Sequence, residues 1–374
     1  MKKILIVASS YVHIRAFLIP HIKQLVSDGW MVDVASEDDG IDIPYVNRQI
    51  DIPVKRSPFH PSNISAIKKL SRYIDDEQYD IINCHTPIGA MIARMASFKA
   101  RRKGAKVIYM AHGFHFYEGA PLINWLVYYT AEKLMARCTD AIITINEEDS
   151  TNARKFFPEI AHQYSLPGVG YDVNHIERPC DVGSDELRKK YHIGDDDYVC
   201  IYIARYTRNK NHRFLIKALA KLQYHIPQCK LLLLGDGEEM ESCRRLAQEL
   251  GVDDKVIFAG YQRNISAYLQ LADVAVSPSL IEGLPIGLLE EMYVGLPILA
   301  NTVRGHKDLI KSGETGMLYA YNNEAEFVEK FLYLYRSPEE RKRLGMMAQR
   351  SIVKYSVENI IPQMIEIFER ETSV

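Results

Sequence analysis

The sequence predicts an α/β protein of two doubly wound domains, each built on a parallel sheet covered by helices. Short segments rich in β-branched residues alternate with longer segments whose apolar residues recur at i, i+3 and i+4. The short segments show no alternation of apolar and polar residues, which indicates strands buried on both faces. With 374 residues, the chain is too long for one ordinary core and suits two domains of about 150–200 residues.

The predicted strands fall into two series. The first series comprises KILIVAS (3–9), WMVDVAS (30–36), YDIINCHT (79–86), KVIYMAHG (106–113) and DAIITIN (140–146). The second comprises YVCIYIAR (198–205), CKLLLLGDG (229–237), KVIFAGY (255–261), DVAVSPS (273–279) and PILAN (297–301). Helical patterns separate consecutive strands, as parallel pairing requires.

The helical and strand periodicity lapses between the two series, where glycine, proline and acidic turn residues cluster. We therefore predict an N-terminal domain at residues 1–175 and a C-terminal domain at residues 176–355. The remaining segment, 356–374, carries an apolar stripe and is predicted to be a terminal helix.

Composition and charge exclude several classes of protein. The net charge of −2 argues against a nucleic-acid-binding protein, which usually carries an excess of positive charge. The six cysteines form no CxxC pair, which favours buried thiols in a reducing compartment over disulfides or zinc. The first apolar run is too short for a signal peptide, and no segment has the roughly 18–20 apolar residues of a membrane span. We expect a cytoplasmic protein with at most peripheral membrane contact.

Two common phosphate-binding motifs are missing from the sequence. SSYVHIRA stands after the first strand where a dinucleotide-binding domain has GxGxxG, and the chain has no GxxxxGK[ST]. A nicotinamide-dependent oxidoreductase is therefore disfavoured, and any phosphate must be bound by other groups.

A basic turn follows the strand that ends at Ala204. Because the carboxyl ends of strands face the ligand crevice in open α/β sheets, Arg205 and Lys210 in this turn can neutralise a diphosphate. A solvated basic turn is an equal alternative. After the next strand, Gly235 and Gly237 can let the backbone approach a ligand, although the acidic helix start beside them is explained by the helix dipole.

Two histidines at HxxH spacing, His112 and His115, follow another strand. Neither a carboxylate nor a third histidine stands at a matching helical interval, so the spacing predicts no metal site. Hydrogen bonding from a histidine to substrate is the functional alternative. The acids at 195–197 have the DxD spacing by which some sugar transferases bind a metal, but they precede a strand and are predicted to form a turn.

A basic segment and an aromatic helix are candidates for membrane contact. Residues 94–106 carry six cations and no acid, and residues 119–136 form an aromatic, largely apolar helix. Together they can form a patch that contacts an anionic bilayer. A solvated helix end beside a core helix is the alternative, and we favour it.

The stretch SPSLIEGLPIGLLEEMYVGLPILAN, residues 277–301, places Glu282 between a strand and a helix start. Free N–H groups at such a start can bind an anion, and Pro285 suits the first helical position. If Ile286 faces the core, Glu290 lies about 40° from it and Glu291 about 140° from it. We therefore predict an inward Glu290 that needs a ligand as partner and an exposed Glu291.

Three segments of the C-terminal half, taken together, resemble glycosyltransferase family 4. They are ARYTRNKNHRFLIKAL, LLLLGDGEEMESCRRLAQELGVDDKVIFAGY and the stretch at 277–301, in this order and spacing. The resemblance implies a GT-B fold: two Rossmann-like domains with an interdomain cleft and a C-terminal helix that packs back on the N-domain. AHGFHFYEG and RGHKDLI resemble the bacterial branch that builds capsule, exopolysaccharide or O-antigen units.

The resemblance also implies roles for individual residues. Glu282 would contact the donor sugar's hydroxyls, Glu290 the ribose, and Arg205 with Lys210 the diphosphate. His112 would lie close to the transferred sugar and phosphate. The backbone of Gly283, Leu284, Pro285, Ile286 and Gly287 would cradle sugar or phosphate. The sequence departs from the family at Asn211, where glycine is usual, and at SSYVHIR, where a Gly-Gly loop is usual; Ser9, Ser10, His13 and His115 are candidates on the acceptor side.

The resemblance implies a retaining transferase that moves a sugar from a nucleotide donor, UDP-hexose or UDP-N-acetylhexosamine, to a polyprenyl-diphosphate-linked glycan. We expect no cofactor and no metal, and a position in the cytoplasm or on the cytoplasmic face of the membrane. Two alternatives stay open: a nucleotide-sugar epimerase of similar fold, and a non-catalytic nucleotide-sugar-binding subunit.

Overall fold

A computed structural model describes residues 1–55, 57, 60–172 and 184–373. The chain divides into two compact units, one formed by Met1–Tyr171 with Tyr355–Val374 and the other by Asp172–Lys354. We refer to them as unit 1 and unit 2. The domain boundary that the sequence suggests, at residue 175, lies outside the described residues.

Unit 1 contains a seven-stranded parallel sheet in the order β3-β2-β1-β4-β5-β6-β7. Its central strands are buried along almost their whole length, as the absence of in–out alternation predicts. The strands are β1 (Lys3–Val7), β2 (Met31–Ser36), β3 (Arg48–Asp51), β4 (Ile81–His85), β5 (Lys106–Ala111), β6 (Ala141–Thr144) and β7 (His162–Ser165).

Helices cover both faces of this sheet. A π-helical segment, Trp125–Tyr129, joins α6 to α7, so that the predicted aromatic helix begins at Leu122 and ends at Ala136. The helices are α1 (Tyr11–Phe17), α2 (Ile19–Ser27), α3 (Ser62–Glu77), α4 (Pro87–Ala96), α5 (Phe98–Arg102), α6 (Leu122–Asn124), α7 (Thr130–Ala136) and α8 (Glu147–Phe156).

Unit 2 contains a six-stranded parallel sheet in the order β10-β9-β8-β11-β12-β13. The five strands predicted for this half of the chain are all present, followed by one more short strand. The strands are β8 (Tyr198–Ile203), β9 (Cys229–Leu234), β10 (Val256–Gly260), β11 (Val274–Ser277), β12 (Ile298–Asn301) and β13 (Met317–Tyr319).

The helices of unit 2 complete the second doubly wound domain. A 3₁₀ turn, Arg208–Lys210, precedes α10, and another, Ile352–Tyr355, follows α16. The helices are α9 (Ser184–Lys190), α10 (His212–Leu222), α11 (Met240–Glu249), α12 (Ser266–Leu269), α13 (Ile286–Tyr293), α14 (Arg304–Leu309), α15 (Glu324–Arg336) and α16 (Pro338–Ser351).

The last helix, α17 (Val357–Thr372), belongs to unit 1, as expected for a C-terminal helix that packs back on the N-domain. It packs against α2, and its Glu371 carboxylate accepts a hydrogen bond from Tyr164 Oη at 2.7 Å. Its start is anchored by Val357 N, which donates to the carbonyl of Tyr171 at 3.1 Å. The packing places the apolar stripe of the final segment in the core of unit 1.

Two expectations from composition can be compared with the structure. Four of the five described cysteines are buried, as predicted, and all five are free thiols; Cys180 lies outside the described residues. Among the described helices, none is both long and apolar enough to cross a bilayer.

Candidate active site

The sheet of unit 2 reverses its strand order between β8 and β11, the type of position at which open α/β sheets bind ligands beyond their carboxyl ends. At this edge lies a cavity of about 40 Å³, enough for one or two water molecules. The residues that line it include Tyr202 and Ala204 from the end of β8, Ser277 from the end of β11, and Lys210, Glu282, Pro285, Ile286, Gly287 and Glu291. The basic turn that carries Lys210 and the stretch at 277–301 that carries Glu282 therefore meet at this cavity.

Lys210 and Glu282 form an ion pair in this cavity. The Glu282 side chain is 9 % exposed and that of Lys210 is 26 % exposed, so the pair is largely shielded from water. The 3₁₀ turn that carries Lys210 is tied to the segment after β11, because Leu280 N donates to the carbonyl of Asn209 at 2.8 Å. The sequence identified both partners but gave no sign that they pair with each other.

Asn211 follows Lys210 in the left-handed region, with φ 54°. Glycine adopts this conformation without strain, and asparagine is one of the few other residues that tolerate it. The departure of this sequence from the family pattern at Asn211 therefore preserves the backbone path of the basic turn.

Close backbone packing holds the loop after Glu282. The Glu282 carbonyl accepts hydrogen bonds from Gly305 N at 3.2 Å and from Arg304 Nε at 3.3 Å. A Cβ at Gly305 would lie 2.4 Å from the carbonyl oxygen of Gly283, so this position requires glycine. The RGHKDLI segment thus supports the position of Glu282.

His306, which was not predicted as a site residue, supports the cavity from the core. It is fully buried, and its Nε2 lies 3.0 Å from Ser277 Oγ while its Nδ1 lies 2.9 Å from the carbonyl of Asn301. Burial lowers the pKa of His306 to about 4. A neutral ring therefore joins the ends of β11 and β12 beside the cavity. Its place in the RGHKDLI segment was the available signal.

The helix after the loop begins at Ile286, as predicted, with Pro285 as its N-cap. Gly287 lies against β8: a Cβ there would stand 2.9 Å from the carbonyl oxygen of Ile203. This close approach brings the start of α13 beside the cavity. Of the five residues predicted to cradle the donor with their backbone, Pro285, Ile286 and Gly287 line the cavity, and Gly283 and Leu284 lie in the half-buried loop before it.

The predicted orientation of α13 is wrong. Glu291 is 1 % exposed, whereas Glu290 is partly exposed. The prediction assumed that Ile286 faces the core. The buried residues are instead Leu288, Leu289, Glu291 and Met292, whose mean direction lies about 220° from Ile286 at 100° per residue. Glu290 therefore points away from the core and is not among the cavity's lining residues, and Glu291 is the buried acid.

Burial raises the pKa of Glu291 well above its ordinary value, and the neighbouring Glu290 charge adds to the shift. Its Oε2 atom has no hydrogen-bond partner among the described residues. A carboxyl group in this environment favours its neutral form. The sequence gave no signal for this, because the polar character of Glu291 argued for the surface.

Glu291→Gln is expected to change how stability depends on pH. The pKa of Glu291 is higher in the folded protein than in the unfolded chain, so the folded wild type binds the Glu291 proton more tightly. The stability that this proton contributes is therefore lost as pH rises from the unfolded pKa towards the folded pKa. The neutral glutamine lacks this loss. Urea unfolding at about pH 5 and pH 8 should show a stability advantage of the variant that grows with pH. An advantage that is the same at both pH values, or that also appears in the exposed control Glu241→Gln, would contradict a buried, neutral Glu291.

Arg205 is exposed, and its guanidinium lies 3.9 Å from the Glu238 carboxylate. It follows β8 at the same sheet edge as the cavity, but it is not among the cavity's lining residues.

Gly235 and Gly237 have positive φ and pack on the neighbouring loop; a Cβ at Gly235 would lie 2.0 Å from the carbonyl oxygen of Ala204. This packing explains both glycines without a ligand, so their predicted donor contact stays a prediction.

In unit 1, His112 contacts two other histidines. It follows β5, and its Nε2 lies 2.9 Å from Nδ1 of His85 at the end of β4. The ring of His13, on α1, lies edge-on to it at 4.6 Å between centroids. The three rings form a group that we call the three-histidine cluster. His85 was not predicted, although its place at a strand end was an available signal.

Two of the remaining acceptor-side candidates contact the segments that carry this cluster: the carbonyl of Ser10 accepts a hydrogen bond from His13 N at 3.2 Å, and Ser9 contacts Thr86, which follows His85. Ser9 Oγ lies 2.7 Å from Thr86 Oγ1 and accepts a hydrogen bond from Gly89 N at 3.0 Å, so it joins the end of β1 to the start of α4. Ser10 is the N-cap residue of α1. His115 is exposed and stacks on Tyr128 at 4.5 Å between centroids.

The acidic sequence at 195–197 forms a turn, as predicted. The Asp197 carboxylate accepts a hydrogen bond from Gly194 N at 2.8 Å, immediately before β8.

The basic segment is less exposed than the charge run suggests. Arg94 is 1 % exposed, donates to the Glu132 carboxylate at 2.7 Å and lies 4.3 Å from the Tyr109 ring centroid. Arg101 makes a two-pronged pair with Asp140 at 2.7 and 3.0 Å. A buried arginine at a solvated helix end was not expected, and it removes one cation from the predicted patch.

Comparison with known proteins identifies the family. The family model described as "Glycosyl transferases group 1" matches residues 183–351, and the one described as "Glycosyl transferase 4-like" matches residues 3–146. EpsD of Bacillus subtilis (strain 168), which carries the name of a glycosyltransferase, is 37% identical over 367 residues, 98% of this chain and 96% of that one. The chain is a family 4 glycosyltransferase.

Other relatives agree with this membership. A protein from Escherichia coli is named UDP-Gal:alpha-D-GlcNAc-diphosphoundecaprenol alpha-1,3-galactosyltransferase. It is 27% identical to this chain over 276 residues, which cover 71% of this chain and 70% of the Escherichia coli protein. The crystal structure of HepE from Anabaena in complex with UDP and glucose matches with a TM-score of 0.79 at 20% identity, covering 99% of this chain and 100% of that one. The glycosyltransferase therefore has the GT-B fold that the resemblance implied.

Proposed function

We propose that this glycosyltransferase moves a hexose or N-acetylhexosamine from a UDP-linked donor to a polyprenyl-diphosphate-linked glycan, with retention of anomeric configuration, in the synthesis of a capsule or exopolysaccharide. The observation that carries the proposal is the shielded Lys210–Glu282 pair at the switch point of unit 2, beside the start of α13. The UDP in the HepE complex and the diphosphoundecaprenol substrate in the name of the Escherichia coli relative support the choice of donor and acceptor.

The leaving diphosphate is the group that most needs stabilisation. Breaking the anomeric bond builds positive charge on the sugar and negative charge on the departing diphosphate. Arg205 and Lys210 lie on one turn after β8, where they place two cations at the carboxyl edge of the sheet. Preorganised charge of this kind is typically worth about 2.7–4 kcal/mol of transition-state stabilisation per donor.

Glu282 is suited to bind the donor sugar. Its pairing with Lys210 fixes the carboxylate, whose remaining lone pairs can accept hydrogen bonds from sugar hydroxyls. Glu290 lies eight residues later on the partly exposed side of α13, and we assign it to the ribose hydroxyls of the nucleotide. We assign the backbone from Gly283 to Gly287 to the sugar or phosphate oxygens.

No metal or other cofactor is needed for this arrangement, because cations of the chain neutralise the diphosphate. We assign the acceptor to unit 1, with His112 close to the transferred sugar and phosphate. For the retaining outcome we propose attack on the face from which the diphosphate departs, with the leaving phosphate as base.

A screen of nucleotide sugars by thermal unfolding tests the donor. A ligand that binds the folded state at about 100 times its Kd adds about 2.7 kcal/mol to the apparent stability. We expect UDP-sugars to raise Tm and GDP-sugars at the same concentration to leave it unchanged. A shift with GDP-sugars alone would overturn the donor assignment.

The same preparation separates the two alternatives. An epimerase would convert its UDP-sugar to a new epimer with no acceptor present, which nuclear magnetic resonance detects. A non-catalytic binding subunit would show the thermal shift with a UDP-sugar but no transfer when lipid extract is added. Acceptor-dependent release of UDP is the result expected here.

We also propose that the helical segment beginning at Leu122 contacts the membrane that carries the acceptor. Leu122 is 87% exposed and Leu126 is 70% exposed. This segment adjoins the predicted acceptor-side loop, because Asn124 Nδ2 donates to the carbonyl of His115 at 2.9 Å. Apolar side chains of this kind bind membrane interfaces, and exposed basic residues strengthen the contact with anionic lipid.

Leu122→Asp/Leu126→Asp is expected to reduce sedimentation with anionic vesicles. Each substitution exchanges apolar area for a negative charge that anionic lipid repels. Both side chains are exposed, so the variant should fold like the wild type. The matched control is Tyr224→Asp, which alters an apolar side chain in unit 2 that is 81% exposed. Equal sedimentation of all three proteins would contradict the membrane assignment.

A further inference from the structure

The geometry of unit 1 points to a metal site that we propose is formed by the three-histidine cluster, His13, His85 and His112, and that takes a zinc-like divalent transition metal with water in the fourth position. One ligand nitrogen from each ring lies within 4.8 Å of the other two. In a tetrahedral site with Zn–N bonds of about 2.0–2.1 Å, such nitrogens stand about 3.4 Å apart. Small side-chain rotations therefore convert the cluster into a trigonal set of ligands.

The fold explains why the three rings meet. His85 ends β4 and His112 follows β5, while His13 lies on α1, just after β1. These strands are neighbours in the order β1-β4-β5, and the sheet reverses its strand order between β1 and β4. Parallel strands bring their carboxyl ends to one edge, so residues distant in the sequence converge there. The HxxH spacing of His112 and His115 plays no part in the site.

The hydrogen bonds of His85 fix which of its nitrogens can bind a metal. Asn83 Nδ2 donates to the carbonyl of Ile108 at 3.3 Å, which leaves Asn83 Oδ1 as an acceptor 2.6 Å from His85 Nε2. Since an amide oxygen only accepts, His85 must carry its proton on Nε2. The lone pair of His85 Nδ1 then accepts a hydrogen bond from His112 Nε2 at 2.9 Å. A metal that replaces this bond requires the His112 proton to move to Nδ1 of that ring. An outer partner that orients a histidine in this way is a common feature of metal sites.

His13 offers a further ligand nitrogen. His13 Nε2 is buried and has no hydrogen-bond partner among the described residues. His13 and His112 are partly exposed, which gives an ion access.

The type of ligand selects the metal. Three imidazoles without a carboxylate suit zinc and its neighbours rather than magnesium or calcium, which prefer oxygen. Three protein nitrogens leave one position for water or another small ligand. The cluster lies in unit 1, whereas the donor diphosphate is assigned to cations of unit 2, so this site goes beyond the proposed function and does not replace its metal-free chemistry.

Titration of the full-length, metal-free protein with Co²⁺ tests the site, since tetrahedral Co²⁺ has a characteristic visible absorption. We expect one equivalent to bind with this spectrum and to be displaced by Zn²⁺. His13→Asn, at a partly exposed position that tolerates a polar residue, should remove the spectrum. His225→Asn, which changes an exposed histidine of unit 2, should behave as the wild type. No spectrum in the wild type, or the same spectrum in His13→Asn, would overturn the proposal.

A second variant tests the site without removing a ligand. Asn83→Ala deletes the acceptor that orients His85, and loss of such an outer partner lowers metal affinity by about 10–100-fold. Circular dichroism of the metal-free variants checks that each is folded. Unchanged Co²⁺ affinity in a folded Asn83→Ala protein would contradict the assigned orientation of His85 and with it the site.

Metal binding has a consequence that rests on the proposed function. A metal bound to His112 withdraws that imidazole from the donor sugar and phosphate, so Zn²⁺ should inhibit transfer with the same concentration dependence as its binding. The two proposals fail separately: absence of metal binding overturns the site, whereas absence of transfer by the metal-free protein overturns the proposed function.

Discussion

Arg205→Ala is expected to lower the rate of sugar transfer by about 100- to 1,000-fold, the typical cost of removing one preorganised donor to a developing anion. The Arg205 side chain is 71% exposed and lies 3.9 Å from a Glu238 carboxylate that is itself 62% exposed. Such a surface pair contributes little to stability, so the free energy of unfolding should stay within about 0.5 kcal/mol of the wild type. Steady-state rates and urea unfolding on the same preparation measure both effects.

Arg208→Ala is the matched control for this experiment. Arg208 belongs to the same basic turn, its side chain is 95% exposed, and it lies 3.6 Å from Glu239. It has no assigned contact with the diphosphate. A rate close to that of the wild type is therefore expected. Wild-type turnover in Arg205→Ala would show that Arg205 has no role in transfer. An equal loss in both variants would show that the turn acts only through its net charge.

Glu282→Ala is expected to reduce transfer to a similar extent for a different reason. The variant loses the acceptor for the sugar hydroxyls, and Lys210 loses the partner that fixes its ammonium group. Lys210 is 26% exposed and can turn towards water, so the protein should remain folded. Removing the other partner by Lys210→Ala would leave the buried Glu282 carboxylate without its cation, which is more destabilising than Glu282→Ala. Glu282→Ala is therefore the cleaner test.

Two further variants separate the role of charge at Glu282 from an unspecific effect. Glu282→Gln keeps the shape and one acceptor oxygen, so it should retain more activity than alanine while losing the pairing with Lys210. Glu241→Ala, at a glutamate on α11 whose side chain is 78% exposed, should have no effect on the rate. Full activity of a folded Glu282→Ala protein would remove Glu282 from the site.

The two parallel sheets and most of their strands could be predicted from the sequence, because a strand that is buried on both faces appears as an uninterrupted run of apolar residues. The start of α13 was equally visible from Pro285 and the flanking glycines. Its rotation was not, since the predicted orientation depended on Ile286, a residue that lines the cavity rather than the core. A short helix with apolar residues on several sides does not define its own inner face.

Contacts between distant segments were the other part that the sequence could not supply. His13, His85 and His112 are separated by 72 and 27 residues, and only the strand order β1-β4-β5 brings them together. The pairing of Arg94 with Glu132 likewise depends on how α4 packs against α7. Residue type and spacing along the chain predicted the donor-site candidates because those lie beside the ends of single strands.

Retaining transfer to a lipid-linked acceptor is tested by the anomeric configuration of the product. The protein is incubated with a UDP-α-hexose and a polyprenyl-diphosphate-linked glycan, UDP release is followed, and the new linkage is assigned by nuclear magnetic resonance. We predict that UDP release depends on the acceptor and that the new linkage is α. A β linkage, or turnover of the donor to an epimer when no acceptor is present, would contradict it.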